Sequence, residues 1–168
     1  MISDVRKVVI RKILIICQGN LCRSPIAEVE CRKRLADRGL GEVIVDSAGL
    51  NTRDDLAAHP SAIDVAKEHN LNLDRHRSKM LTEDMVRWAD IMFVMSPRQK
   101  QLLLNSFPYV RGKTFLLGRE GQQIDDPLGL PRASFAAAHA EICDGIDDWL
   151  DRLFAMSRDS RPHVHDRS

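Results

Sequence analysis

Cys17 and Arg23 stand six positions apart in the stretch Cys17-Gln18-Gly19-Asn20-Leu21-Cys22-Arg23-Ser24-Pro25, directly after the apolar run from Lys12 to Ile16. A thiol and a permanent cation at this spacing point to phosphate chemistry through a cysteine. A strand that ends in a tight loop and passes into a helix leaves several backbone N–H groups without partners, and these converge on a concavity suited to an anion. Pro25 suits the first position of that helix, so the sequence places the helix start there. Facing such amides, beside a guanidinium, the Cys17 thiol is expected to lose its proton well below the free value of roughly 8.5 and to act as a thiolate. Arg23 can grip two phosphoryl oxygens at once, which the point charge of a lysine cannot match. The expected phosphate-binding set is Gln18, Gly19, Asn20, Leu21, Cys22, Arg23 and Ser24. Glycine-rich nucleotide loops compete for this reading, but they require Gly-Lys-Ser/Thr or Gly-x-Gly-x-x-Gly, and neither is present.

A second chemical feature lies far downstream, in the Gly-, Pro- and Asp-rich segment Gly118–Pro131. Its Asp126-Pro127 pair reads on its own as a turn initiator. Beside a cysteine loop it reads as a proton donor, because the residue before proline is held near extended geometry and its carboxylate can be aimed. Asp125 is the neighbour expected only to tune local charge.

The Cys17–Pro25 stretch resembles the signature of the low-molecular-weight protein tyrosine phosphatase family, a hydrophobic strand followed by Cys-x-Gly-Asn-x-Cys-Arg-Ser-Pro. Asp126-Pro127 and Asp46-Ser47-Ala48 resemble two further pieces of the family pattern, so the likeness runs from about residue 12 to 154. It implies Cys17 as nucleophile, Arg23 as transition-state clamp and Asp126 as general acid, then base, for a phosphocysteine intermediate. Ser24 has two compatible readings, a helix N-cap and, by the resemblance, a hydroxyl donor to the Cys17 sulfur. Asn20 tolerates left-handed backbone and so can shape the loop. The resemblance adds a supporting hydrogen-bond network of Asn20 with Ser47, set against a plain strand-end serine. Cys22 reads either as a small buried side chain or as a thiol that pairs reversibly with Cys17 under oxidation.

The substrate rim departs from the pattern. Many members carry aromatic residues where this chain has Leu50 and Leu128, and aliphatic walls forgo stacking worth about 0.5–1.5 kcal/mol. The segment from Asp126 through Phe135 is similar to bacterial members linked to tyrosine kinases of exopolysaccharide production. The resemblance therefore implies a phosphotyrosyl protein substrate, such as that kinase. A related group that removes phosphate from arginine shares the Asp-Pro-x-Gly but typically has threonine at the position of Leu21. Thioredoxin-coupled arsenate reductases share the cysteine loop but need two further cysteines near mid-chain, absent between Cys31 and Cys143. A non-catalytic phosphate-recognition module is the remaining alternative, although binding alone needs neither Cys17 nor Asp126.

These groups have to be carried by a scaffold. Short β-rich runs alternate with helical patterns, which predicts a single-domain, three-layer α/β/α fold, doubly wound around a central four-stranded parallel sheet. Strands are expected near Ile13–Cys17, Val43–Ser47, Ile91–Met95 and Thr114–Leu117. Helices are expected near Pro25–Arg38, Ser61–His69, Glu83–Ala89, Pro97–Asn105 and Arg132–Ala155. Ligands of open α/β sheets sit beyond the carboxyl ends of the strands, where Cys17, Ser47, Ser96 and the loop after Leu117 all fall. Residues 1–157 are expected to form the domain and 158–168, polar and aperiodic, a disordered tail.

The chain has 168 residues, 43% hydrophobic content and a net charge of +1 from interspersed signs. That is ample for one core and offers no electrostatic support for nucleic-acid or membrane binding. No segment approaches the ~18 apolar residues of a membrane span, and no secretion signal accompanies the four cysteines. Reduced thiols and a cytoplasmic location are expected, and mixed-charge helices suit a monomer. Cys31 shares a helical stripe with Ala27 and Leu35, and Cys143 falls in the last helix, so both read as packing. The six histidines show no paired zinc-ligand spacing; His139 lies on the stripe Phe135, His139, Ile142, Ile146, Trp149, Leu153 and reads as core. His76 is given only a weak place near the site. No metal or other cofactor is expected, Arg23 and backbone dipoles taking that role.

Overall fold

The computed structural model describes residues 9–155; the expected tail lies outside them. Four strands, β1 (Lys12–Cys17), β2 (Ile44–Gly49), β3 (Ile91–Val94) and β4 (Thr114–Leu116), form one parallel sheet in the order β2-β1-β3-β4. Five α-helices join them among the described residues: α1 (Arg23–Asp37), α2 (Pro60–Glu68), α3 (Glu83–Trp88), α4 (Pro97–Ser106) and α5 (Arg132–Phe154). The expected fold is therefore observed, doubly wound and with β1 beside the point where the strand order reverses. In such sheets that point opens a crevice at the strands' carboxyl ends.

The strand β1 explains why the sheet needs both helical layers. Ile13, Leu14, Ile15 and Ile16 have no exposed surface. Alternate residues point to opposite faces, so Ile13, Ile15 and Cys17 join a core with Ile26 and Leu35 of α1, Val65 of α2 and Phe135 and Ile142 of α5. Leu14 and Ile16 join a second core with Val86 of α3 and Leu103 and Leu104 of α4. Burying each such side chain contributes roughly 1.5–3 kcal/mol. This strand thus anchors the residue that ends it, Cys17.

Helix starts follow the sequence except at one place. Thr82, Ser96 and His59 cap α3, α4 and α2, accepting from the amides of Met85, Gln99 and Ser61 at 3.3, 3.2 and 3.1 Å. The helix expected to start at Pro25 starts instead at Arg23, its N-cap is Cys22, and no side chain caps it. Ser24 therefore is not the N-cap. The physical reason is that an anion loop keeps its first-turn amides uncapped, available to a ligand. Beside the edge strand β4, α5 lies directly on backbone: a Cβ at Gly145 would stand 2.2 Å from the Leu117 carbonyl oxygen.

Candidate active site

The loop after β1 is turned inside out by its own carbonyls. Leu50 N–H donates to the Cys17 carbonyl at 3.0 Å and Asn51 N–H to that of Gln18 at 2.9 Å, while His59 N–H donates to that of Leu21 at 2.9 Å. His76 Nε2 lies 2.8 Å from the Asn20 carbonyl. A carbonyl only accepts, so that nitrogen carries the proton. With the carbonyls engaged outward, the amides of Gly19, Leu21, Cys22 and Arg23 have no acceptor among the described residues. Gly49, paired with Cys17, lets β2 approach this closely: a Cβ there would meet Asn20 N and Gln18 O at 3.1 Å and the Thr52 methyl at 2.9 Å.

Asn20 is the hub. It is fully buried and adopts φ 55°, the left-handed geometry expected of it. Its amide nitrogen donates to Ser24 Oγ at 2.8 Å and to Ser47 Oγ at 3.0 Å, and its side-chain oxygen accepts from Lys79 N–H at 3.0 Å. Ser24 Oγ, already accepting from Asn20, lies 3.0 Å from Cys17 Sγ, and the Asn20 backbone amide donates to the same sulfur at 3.3 Å. The sulfur is thus placed among donors. The Ser47 hydroxyl in turn donates a hydrogen bond to Glu28 Oε2 at 3.1 Å.

Arg23 is 4% exposed and held from two sides. Its Nη1 donates to the Ile124 carbonyl at 2.8 Å, and its Nη2 lies 3.2 Å from Asp126 Oδ2. Its Nε is buried without a hydrogen-bond partner. Unpaired buried donors cost free energy, and an anion oxygen over the loop would satisfy this one. Asp126 is half-exposed, and its Oδ1 accepts from Leu128 N–H at 3.1 Å, the turn expected of Asp-Pro doing double duty in aiming the acid. Asp125 only accepts from Gln123.

Cys17, Arg23, Asp126 and Leu128 share one small depression with Gly19, Leu21 and Cys22. Leu50 instead lines an adjoining groove with Gln18, Leu102 and Phe107. The two rim leucines thus stand in separate depressions. Burial, then the charges of Cys17 and Asp126, push the Cys22 thiol up to about 12. A protonated thiol is a poor nucleophile, which favours the packing reading of Cys22. Cys31 is buried in the core as expected.

Three residues behind the loop carry little or no signal in the sequence. Glu28 lies one turn beyond Ser24 on the same helix face, a buried carboxylate beside the apolar residues Ala27 and Cys31, and that neighbourhood is its one signal. Burial raises it above the usual carboxylate range, against the pull of Arg32, whose Nη2 donates at 2.8 Å. His76 gives only the weak hint of its place near the site, and Lys79 none, because their contacts with Asn20 span 56 and 59 positions. Elsewhere, His139 is buried as expected, but its Nε2 faces Glu30 Oε1 at 2.6 Å and Cys143 Sγ at 3.4 Å.

A doubly wound sheet that delivers a cysteine, an arginine and a carboxylate to one anion-shaped loop defines a cysteine-loop phosphatase. The model of the family described as low molecular weight phosphotyrosine protein phosphatase matches residues 12–159. The probable low molecular weight protein-tyrosine-phosphatase EpsP of Ralstonia solanacearum is 36% identical over 148 residues, 88% of this chain and 99% of that protein. The crystal structure of the tyrosine phosphatase AmsI of Erwinia amylovora superposes with a TM-score of 0.80 at 34% identity, covering 86% of this chain and 94% of that one. The YwlE arginine phosphatase of Geobacillus stearothermophilus follows at 0.79 and 30% identity, over 90% and 98% of the two chains. The chain belongs to the low molecular weight phosphotyrosine protein phosphatase family.

Proposed function

We propose that this phosphatase hydrolyses phosphotyrosine on proteins through a phosphocysteine intermediate. The observation that carries the proposal is the placement of a half-exposed Asp126 on Arg23, 3.2 Å from Nη2, at the mouth of the depression that holds Cys17. The Cys17 sulfur, in its thiolate form, attacks phosphorus; the S–P bond forms as the P–O bond to the phenol breaks, and Asp126 gives its proton to the departing oxygen. Asp126 then takes a proton from water, whose oxygen attacks phosphorus and releases inorganic phosphate with the original thiolate. The free Arg23 Nε and the amides of Gly19, Leu21, Cys22 and Arg23 hold the equatorial oxygens, where the loose transition state spreads its charge. Ser24 and the Asn20 amide stabilise the sulfur as it leaves.

Leu128, in the depression that holds Cys17, supplies an apolar wall for the ring, and Leu50, in a separate groove, one for its flanking residues. A tyrosine kinase of exopolysaccharide production is the partner this reading proposes, met by a monomer in the cytoplasm. All four cysteines are free, and among the described residues no helix is long and apolar enough to cross a membrane. The likeness to the arginine phosphatase keeps phosphoarginine as a second reading, with Asp126-Pro127-Leu128-Gly129 in its favour and Leu21 against it. Phosphate release from a phosphotyrosyl and a phosphoarginyl peptide, each with Cys17→Ser beside it, separates these. Release from the first and loss in the variant is expected; preference for the second would move the substrate class. Binding without release would leave only a phosphate-recognition module.

A further inference from the structure

We propose that Glu30, His139 and Cys143 form a divalent-cation site, suited to zinc, on the seam between α1 and α5. Glu30 Oε1 and Cys143 Sγ approach the same ring nitrogen, Nε2 of His139, at 2.6 and 3.4 Å. A nucleophile–base relay needs the base between its partners, one on each ring nitrogen, so this trio cannot work as one. A single proton on Nε2 can point at only one of two acceptors. A cation in its place meets all three donor atoms, which lie within 4.8 Å of one another.

The spacing suits the ion. Ligands about 2.0–2.3 Å from a tetrahedral zinc stand roughly 3.3–3.8 Å apart. The Cys143–His139 pair is already there, and the Glu30–His139 pair has to open by about an ångström or less to reach that spacing. His139 and Cys143 are four residues apart and so share one face of α5. Imidazole, thiolate and carboxylate together match zinc better than calcium or magnesium, which take oxygen ligands.

The surroundings hold the donors as an outer layer should. Arg34 pairs with the other oxygen of Glu30 through Nη1 and with Asp147 through Nε. The His69 ring stacks on His139 with centroids 3.9 Å apart. Glu30 and His139 are buried while Cys143 is partly exposed, so an ion and a water as fourth ligand would reach the site from the Cys143 side. The sequence showed none of this because Glu30 stands 109 positions from His139. The expectation that no histidine here binds metal gives way to this proposal.

The test uses Cys17→Ser protein, so that the catalytic thiol cannot bind the probe, and titrates it with Co²⁺. One equivalent of bound Co²⁺ with a thiolate-to-cobalt charge-transfer band is expected, together with a melting temperature that rises with added Zn²⁺. Both are expected to be lost when Cys143→Ser is added, a near-isosteric change at a partly exposed position; Cys143→Ala serves if the serine variant folds poorly. No band in the Cys17→Ser protein at millimolar Co²⁺ would overturn the proposal. So would a band, or a zinc-dependent rise in melting temperature, that survives the loss of Cys143.

Discussion

Asn20 commits every polar atom of its side chain, and its carbonyl, to the loop, while its backbone sits where most residues are strained. Replacing it with alanine should cost about 1–2 kcal/mol for the left-handed backbone and about 1 kcal/mol for each buried hydrogen bond not replaced. Asn20→Gly relieves the backbone part alone, so it should unfold at higher urea concentration than Asn20→Ala, with both slower in turnover. Equal stability of the two would show that the backbone is not strained there. Asp126→Asn should lower kcat/KM, which reports the first half-reaction alone, by roughly 10²–10⁴ on a phosphotyrosyl peptide and distinctly less on p-nitrophenyl phosphate, whose leaving group needs no proton; a uniform loss in kcat/KM would remove Asp126 as the acid. That Cys17, Arg23, Asp126 and Ser47 come together around one loop was legible in the sequence because each stands in a short motif. Glu28 was not legible and His76 only weakly, because their contacts lie with partners the chain brings from elsewhere: Ser47, 19 positions from Glu28, and Asn20, 56 from His76.

At the scale of elements, the strands read almost to the residue, since a parallel strand buried on both faces is a continuous apolar run. The interior boundaries of helices were equally plain where Thr82 and Ser96 cap them. The start of α1 is displaced from its expected position, because Pro25 gives a strong local signal while the true start, at Arg23, has no side-chain cap. The short 3₁₀ turns Pro108–Lys113 and Arg119–Gly121 went unread for want of any periodicity in so few residues. Helix-to-sheet approach was also silent, and Gly145 shows what it contributes. Gly145→Ala forces a methyl to 2.2 Å from the Leu117 carbonyl oxygen, so α5 must lift, at a cost of roughly 1–3 kcal/mol. Gly112→Ala, whose methyl would meet nothing within 4 Å, should be close to neutral. Thermal unfolding of the pair checks the contrast, and a neutral Gly145→Ala would mean that α5 sits less tightly on the sheet than this approach implies.

At the scale of the molecule, the layer behind the loop makes stability depend on pH. Burial holds His76 below the usual histidine value; its bond to the Asn20 carbonyl opposes this, while Lys79 and Arg77 add to it and Asp46 offsets part. Glu28, 3.9 Å from His76 Nδ1, is itself raised by burial. The folded chain therefore binds a proton at His76 less readily than the unfolded chain does. Its contribution is complete above the unfolded value of about 6.5 and is lost as pH falls below it. Urea unfolding of wild type and His76→Gln should show a gap that narrows between about pH 7.5 and about pH 5.5, other titrating groups being common to both. Parallel curves would mean that His76 does not carry the effect.

The anchors of the loop are scattered along the chain: Ser47, His59, His76 and Lys79 hold its outer side, and Ile124 holds Arg23 across 101 positions. During synthesis on the ribosome, then, a nascent chain that has already displayed Cys17 lacks most of what holds its loop in shape. The two contacts on Arg23 become possible only after Ile124 and Asp126 have emerged. A product of translation that stops short of them carries the whole Cys17–Arg23 motif and neither of the contacts that fix its arginine.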